Sequence, residues 1–290
     1  MQRSLKQPHT EQAAATPGQP VALSIAGSDS GGGAGIQADL RAFAFFNVFG
    51  TTAITAITAQ NPNGVRDVHG VPSETVTAQI AAVTEAFTIG AAKTGMLFDT
   101  SIVQAVANAT KMLGGCPLVM DPVMVATSGA VLLRDTAVRA LCAELLPRAT
   151  VITPNIAEAE IILGRTLEDL ADLDKAALEL AQRFGVAALV KGGHRQTEEV
   201  IDVMSDGRQC WQLSTPRADA ASTHGTGCSL SAALAACLAR GDKVVEAVAK
   251  AKAYVYSSLK NCVRVGEKTW AMGIPSNLER DAVSIREITE

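Results

Sequence analysis

The segment Thr223-His-Gly-Thr-Gly-Cys228 stands directly before an apolar run, Ser229-Leu-Ser-Ala-Ala-Leu-Ala-Ala-Cys237, that reads as a helix. Glycines at a helix start let successive backbone N–H groups converge where the helix dipole favours an anion. Gly225, Thr226 and Gly227 therefore form a nest suited to a phosphate or to charge developing on a phosphoryl group. Cys228 falls in the first turn, where a lowered thiol pKa and a thiolate accessible near neutral pH are expected. The competing reading is a glycine-rich capping turn with a buried cysteine. A covalent role for Cys228 with His224 nearby is a further alternative. His194 and His224 show no metal-ligand spacing and read as ordinary loop histidines.

A second glycine-rich stretch, Gly27-Ser-Asp-Ser-Gly-Gly-Gly-Ala-Gly35, follows a strand-like run and opens a helix. Gly33-Ala-Gly-Ile-Gln-Ala38 fits the loose form of a dinucleotide-binding turn. The next strand, however, ends at Ala59-Gln60 with no acidic residue placed for a ribose. No G-x-x-x-x-G-K-[ST] occurs, which removes a P-loop. A loop remains that brings backbone close to a ligand, with Ser28, Asp29, Ser30 and Asp39 around it. In Thr153-Pro-Asn155-Ile-Ala-Glu158, Asn155 and Glu158 share one face of a starting helix. They could orient Mg²⁺-bound waters, or form a capping box, the commoner use of that spacing. Asp121 and Lys191 each close a strand, and ligands of parallel sheets gather beyond those strand ends. There Asp121 could help hold a metal and Lys191 could meet a nucleotide phosphate as a point charge.

The elements that must position these residues alternate between short apolar strands and longer helices. Strands are expected at Val21–Gly27, Thr51–Ala59, Ala91–Thr94, Leu118–Asp121, Val151–Thr153 and Val186–Val190. Helices are expected at Ile36–Phe46, Ser73–Phe87, Thr100–Leu113, Arg134–Leu146, Ile156–Leu163, Asp174–Phe184, Ser229–Ala239 and Val244–Leu259. Such alternation specifies an α/β fold with a mainly parallel sheet covered on both faces. Ser205-Asp206-Gly207, between two strand-like runs in Glu199–Leu213, signals one antiparallel hairpin. No repeat or composition shift marks a boundary, so residues 21–290 read as one domain behind a flexible polar tail, residues 1–20.

Composition narrows the function. The 290 residues carry 25 Lys and Arg against 29 Asp and Glu, a net charge of −4, which gives no basic face for nucleic acid and no polybasic membrane anchor. The first twenty residues lack the apolar centre of a secretory signal, and no run approaches a membrane span, so a cytoplasmic location is expected. The six cysteines show neither C-x-x-C pairs nor zinc spacing.

In this order, the motifs I-A-G-S-D-S-G-G-G-A-G-I-Q-A-D-L, I-T-A-Q-N, K-T-G-M-L, D-P-V-M, T-P-N-I-A-E-A-E, K-G-G-H and T-H-G-T-G-C-S-L-S-A-A-L-A-A extend from about Val21 to Lys260. The chain thereby resembles the hydroxymethylpyrimidine/phosphomethylpyrimidine kinases of thiamin biosynthesis, in the ribokinase-like superfamily. The resemblance implies a three-layer α/β/α fold, MgATP as donor and two successive phosphorylations of 4-amino-5-hydroxymethyl-2-methylpyrimidine. It places Gly27, Asp39, Gln60, Met96 and Val123 in the pyrimidine pocket. Gly225, Thr226, Gly227 and Cys228 become an anion hole with Cys228 in the position of a base. Asp121, Asn155 and Glu158 fall in the Mg²⁺ and phosphate region, and Lys191 on the nucleotide side. It further implies a homodimer, to which Tyr254–Tyr256 or the C-terminal segment would contribute. Gln60 is the residue on which substrate range turns, because a Gln amide both donates and accepts. A pyridoxal kinase, or an enzyme performing both reactions, is the alternative. Val265–Pro275 departs from the Gly-rich ending of the family. A binding module that kept the pocket without catalysis is the reading from another class.

Overall fold

A computed structural model describes residues 18–124, 133, 135–193, 195 and 197–288. The tail read over residues 1–20 lies, save for its last three residues, outside them, as does His194.

The first strand, β1 (Val21–Asp29), leads through the glycine-rich loop to α1 (Gly35–Phe45) and then to β2 (Phe49–Asn61) and β3 (Gly64–Gly70). After α2 (Ser73–Ala86), the chain runs through β4 (Ala91–Thr94), α3 (Thr100–Ala109), β5 (Leu118–Met120) and α4 (Asp135–Ala140). Next come β6 (Val151–Ile152), α5 (Ile156–Leu163), α6 (Leu170–Phe184) and β7 (Ala187–Val190). The hairpin β8 (Glu199–Ser205) and β9 (Cys210–Pro216) precedes α7 (Thr226–Ala239) and α8 (Val244–Lys260). The chain then adds the small pair β10 (Val263–Arg264) and β11 (Trp270–Ala271), and the edge strand β12 (Ser284–Ile288).

Ten strands form one sheet in the order β12-β9-β8-β7-β6-β5-β4-β1-β2-β3. The run from β7 to β2 is parallel throughout. Leu23, Ile25, Met120 and Ile152 face α2 to α6 in one core, while Ala22, Val119, Val151 and Leu189 face α1, α7 and α8 in the other. This is the three-layer α/β/α fold. Within α7, Ser229 to Leu238 are all buried, and its small Ala and Ser side chains let it lie against the sheet and α8 at once.

The antiparallel content exceeds the single hairpin expected. β3 pairs antiparallel with β2, and β12 with β9. Both are edge strands with exposed, largely polar faces, so neither carries the apolar run that marks a strand in sequence. The helix expected over Arg134–Leu146 also differs. Regular α-helix ends at Ala140, followed by a π-turn over Leu141–Leu145 and a tight turn ending at Arg148. Pro147 inside that turn has no N–H to continue a helix.

Candidate active site

The sheet order changes direction at β1: the chain goes first to β2 on one side and later to β4 on the other. A crevice opens beyond the carboxyl ends of parallel strands at such a switch point. Here it is a cavity of about 350 Å³. Gln60 at the end of β2, Asp29 on β1, Met96 after β4, Asp121 after β5, Asn155 after β6 and Lys191 after β7 all line it. Strands lie about 4.8 Å apart, so the β2 end is ~14 Å from the β5 end. The groove thus takes a small ring at one end and an extended ligand along the rest.

The two glycine-rich loops meet over the cavity. Asp29 Oδ1 accepts from the Gly31 N–H at 2.8 Å, and Oδ2 from the N–H groups of Gly33 and Ala34 at 3.0 and 2.8 Å. His224 Nε2 lies 3.3 Å from the same Oδ2. Burial acts to raise the Asp29 carboxyl, but the hydrogen bonds from His224, Ala34 and Gly31 prevail and hold it below the usual range. His224, expected to be an ordinary loop residue, is thus a fixed part of the cavity wall. Gly225 caps α7 at φ 86°, and a Cβ there would lie 1.9 Å from the Gly33 carbonyl oxygen. Only glycine allows the loops to touch in this way.

Gly225, Thr226, Gly227 and Cys228 line the cavity together, with the first turn of α7 opening onto it. A Cβ on Gly227 would sit 3.4 Å from Lys191 Nζ, which places this turn beside the cation. Lys191 Nζ donates to Asp121 Oδ1 at 2.7 Å. Burial opposes the Lys191 charge, but Asp121 and Glu158 outweigh it and raise its pKa. Ser231 Oγ adds a contact of 3.3 Å to Asp121 Oδ2.

The expectation for the Cys228 thiol is reversed. Burial pushes it up to about 11, with the carboxylates of Asp39 and Asp121 acting in the same sense and Lys93 opposing them. Desolvation and the two carboxylates outweigh the pull of Lys93 and of the Gly35 backbone on the thiolate.

Gly27 and Val123 line the cavity as expected, but Asp39 does not. It is fully buried behind the wall, where Lys93 Nζ donates to both its oxygens at 2.8 Å and Ser24 Oγ to one. Asp39 therefore faces the cavity through its ion-pair partner Lys93, which does line it. Lys93 and the buried pair Lys252–Asp202, 2.7 Å apart, are cavity residues that sequence reasoning did not single out. The available signal was a lysine inside the otherwise apolar run of β4.

Asn155 and Glu158 form the capping box of α5: Asn155 Oδ1 accepts from the Glu158 N–H at 3.0 Å, and Glu158 Oε2 from the Asn155 N–H at 2.8 Å. The local reading of this pair thus holds, which engages the Asn155 side chain within the helix. Burial raises Glu158 to about 7, with Lys191 opposing and Asp121 adding to the rise. Among the described residues, no group of three or more His, Cys, Asp and Glu is placed to enclose a metal. Mg²⁺ needs less, since it keeps several waters and takes one or two carboxylates plus substrate phosphates. Asp121 and Glu158, two hard oxygen donors on one cavity wall, fit that demand.

The sequence family model described as phosphomethylpyrimidine kinase matches residues 29–273. The chain belongs to the phosphomethylpyrimidine kinase family. A hydroxymethylpyrimidine/phosphomethylpyrimidine kinase from Rhizobium meliloti is 47% identical over 246 residues, covering 84% of this chain and 92% of the relative. A thiamine biosynthesis bifunctional protein from Geobacter sulfurreducens is 41% identical, covering 82% of this chain and 49% of that longer protein. Among solved structures, the pyridoxal kinase from Staphylococcus aureus in complex with AMP-PCP superposes with a TM-score of 0.85 at 32% identity, covering 94% of this chain and all of that one. As in other phosphomethylpyrimidine kinases, the activity is that of a phosphotransferase. Among the described residues, no helix is long and apolar enough to cross a membrane.

Proposed function

We propose that the enzyme transfers the γ-phosphoryl group of ATP first to the hydroxymethyl oxygen of 4-amino-5-hydroxymethyl-2-methylpyrimidine and then to the resulting monophosphate, for thiamin biosynthesis. The observation that carries the proposal is one continuous cavity joining Gln60 at the β2 end to the α7 N-terminus, Lys191 and Asp121. Gln60 would meet the ring edge, with Gly27, Met96 and Val123 around the ring. The N–H groups of the α7 turn would bind the transferred group and Lys191 the nucleotide phosphates.

In the first transfer a bond forms between the hydroxymethyl oxygen and the γ-phosphorus, and the bond to the β–γ bridging oxygen breaks, releasing ADP. The acceptor proton passes to Cys228 as thiolate. Phosphoryl transfer depends on position and charge stabilisation more than on covalent work by the protein, which suits a site built from N–H groups and lysines. In the second transfer the acceptor is already an anionic phosphate oxygen and needs no base. Mg²⁺, when bound at Asp121 and Glu158, supplies charge neutralisation on the phosphates.

The proposal includes one kinase domain over residues 21–290, a cytoplasmic location and a homodimer. Tyr254 and Tyr256 are less suited to a dimer contact than the C-terminal segment. Tyr254 packs against Phe45 and Phe46 in the core, and Tyr256 lines the cavity. Exposed Val263, Val265, Trp270 and Ile274 leave the C-terminal segment as the candidate contact, which light scattering of wild type against Val265→Asp tests.

Incubation with MgATP and an equimolar mixture of the hydroxymethylpyrimidine and pyridoxal tests the substrate. Pyrimidine diphosphate arising through the monophosphate is expected, and pyridoxal phosphate alone would overturn it. Gln60→Ala is expected to raise the KM for the pyrimidine about tenfold while leaving that for ATP unchanged.

A further inference from the structure

The two ends of the Gln60 amide meet different neighbours. Its Oε1 lies 3.5 Å from Thr58 Oγ1, and its Nε2 lies 3.5 Å from His224 Nε2. The Thr58 hydroxyl donates to the Ser28 carbonyl oxygen at 2.9 Å, so its single hydrogen is already committed. His224 Nε2 faces Asp29 Oδ2, at 3.3 Å. An ionised carboxylate only accepts, so the ring nitrogen that faces it carries a hydrogen. That hydrogen opposes the amide NH2 of Gln60, donor against donor. Turning the amide by half a rotation keeps its outline and resolves both ends. The carbonyl oxygen then shares the His224 Nε2–H with Asp29 Oδ2 in a bifurcated hydrogen bond, and the NH2 donates to a Thr58 lone pair. The backbone offers no other escape. Ser30 Oγ donates to the Gln60 carbonyl at 2.7 Å and accepts from its N–H at 2.8 Å, bracketing the residue.

We propose that His224, anchored by Asp29, is a positioning residue that locks the Gln60 amide with its oxygen on the imidazole side and its NH2 on the Thr58 side. The pocket thereby selects rings with an amino group beside an unprotonated ring nitrogen. This rests on the reading of Gln60 as the ring contact. An aminopyrimidine edge pairs with the locked amide in one sense only, amino group to Oε1 and ring nitrogen from Nε2–H. A hydroxypyridine such as pyridoxal has no amino group beside its ring nitrogen and gains little from a fixed carbonyl. Asp29 and His224 thus tie substrate choice to the contact between the two glycine-rich loops.

Two measurements test it. In ¹⁵N-histidine-labelled wild type, the His224 ring signals, assigned by their loss in His224→Gln, are expected to show a hydrogen on Nε2; a bare Nε2 overturns the proposal. Separately, kcat/KM is measured for the hydroxymethylpyrimidine and for pyridoxal. His224→Leu is expected to lower the pyrimidine-to-pyridoxal ratio about tenfold, the worth of one oriented hydrogen bond. His224→Gln, whose NH2 donates to both Asp29 and Gln60, is expected to hold the ratio within about threefold. A ratio unchanged in His224→Leu, while Gln60→Ala still raises the pyrimidine KM, overturns the lock and leaves the ring contact standing. No effect of Gln60→Ala overturns the ring contact itself. Where His224→Leu fails to fold, a bare Nε2 still overturns the proposal, and His224→Gln with a pyrimidine-to-pyridoxal ratio changed well beyond threefold does so as well.

Discussion

With Cys228 as the proposed base, a thiol raised to about 11 is expected to make the first phosphorylation steeply dependent on pH. With that value, thiolate makes up ~10⁻³ of Cys228 at pH 8 and ~10⁻² at pH 9, so a reaction that uses it as base gains about tenfold per pH unit. A raised thiol pKa means the neutral form is favoured, so the rate climbs with pH and flattens only near the thiol value. Lys93 and Lys191, both shifted upward from the ordinary lysine value, stay charged across this window. The second phosphorylation provides the internal control. Its acceptor phosphate, with a second pKa of about 6, is fully ionised above pH 8 and leaves no proton to remove. Steady-state kcat/KM for each step, followed separately by product chromatography from pH 8 to 10, is expected to rise with unit slope for the first and stay flat within about twofold for the second. Cys228→Ala is expected to abolish the slope and to slow the first step about 100-fold at pH 8, the low end for a general base. Equal slopes in the two steps, a slope that survives in Cys228→Ala, or a first step already flat at pH 8 would refute the reasoning.

Two further consequences bear on the scaffold of the site. Lys93→Met strands Asp39 in the core and is expected to cost about 3–5 kcal/mol, read as a lower urea midpoint, with Lys93→Met/Asp39→Asn recovering part of the loss. Gly225→Ala drives a methyl group into the Gly33 carbonyl at a left-handed backbone position; it is expected to destabilise by at least ~2 kcal/mol in thermal melts and to raise the KM for both substrates.

The sequence by itself determined those features set by neighbours along the chain. The α5 helix begins and ends where its residues say it should, because Asn155 and Glu158 cap each other three residues apart and Gly164 closes the far end in the left-handed region. The glycine-rich start of α7 and the apolar runs of β1, β4 and β7 were legible for the same reason. Edge strands β3 and β12 were not, since their faces meet solvent and carry no apolar pattern.

The chemistry of the site was decided by tertiary structure. Lys93 meets Asp39 across 54 residues, and His224 meets Asp29 across 195. These pairings exist only because the sheet order brings strand ends and loops to one crevice. Cys228 shows the difference most clearly. Its place at a helix start predicts an accessible thiolate, whereas partial burial beside the Asp39 and Asp121 carboxylates turns the shift upward. Position along a helix sets the direction of a local dipole. The cost of holding a charge depends on everything folded around it, which only the tertiary structure supplies.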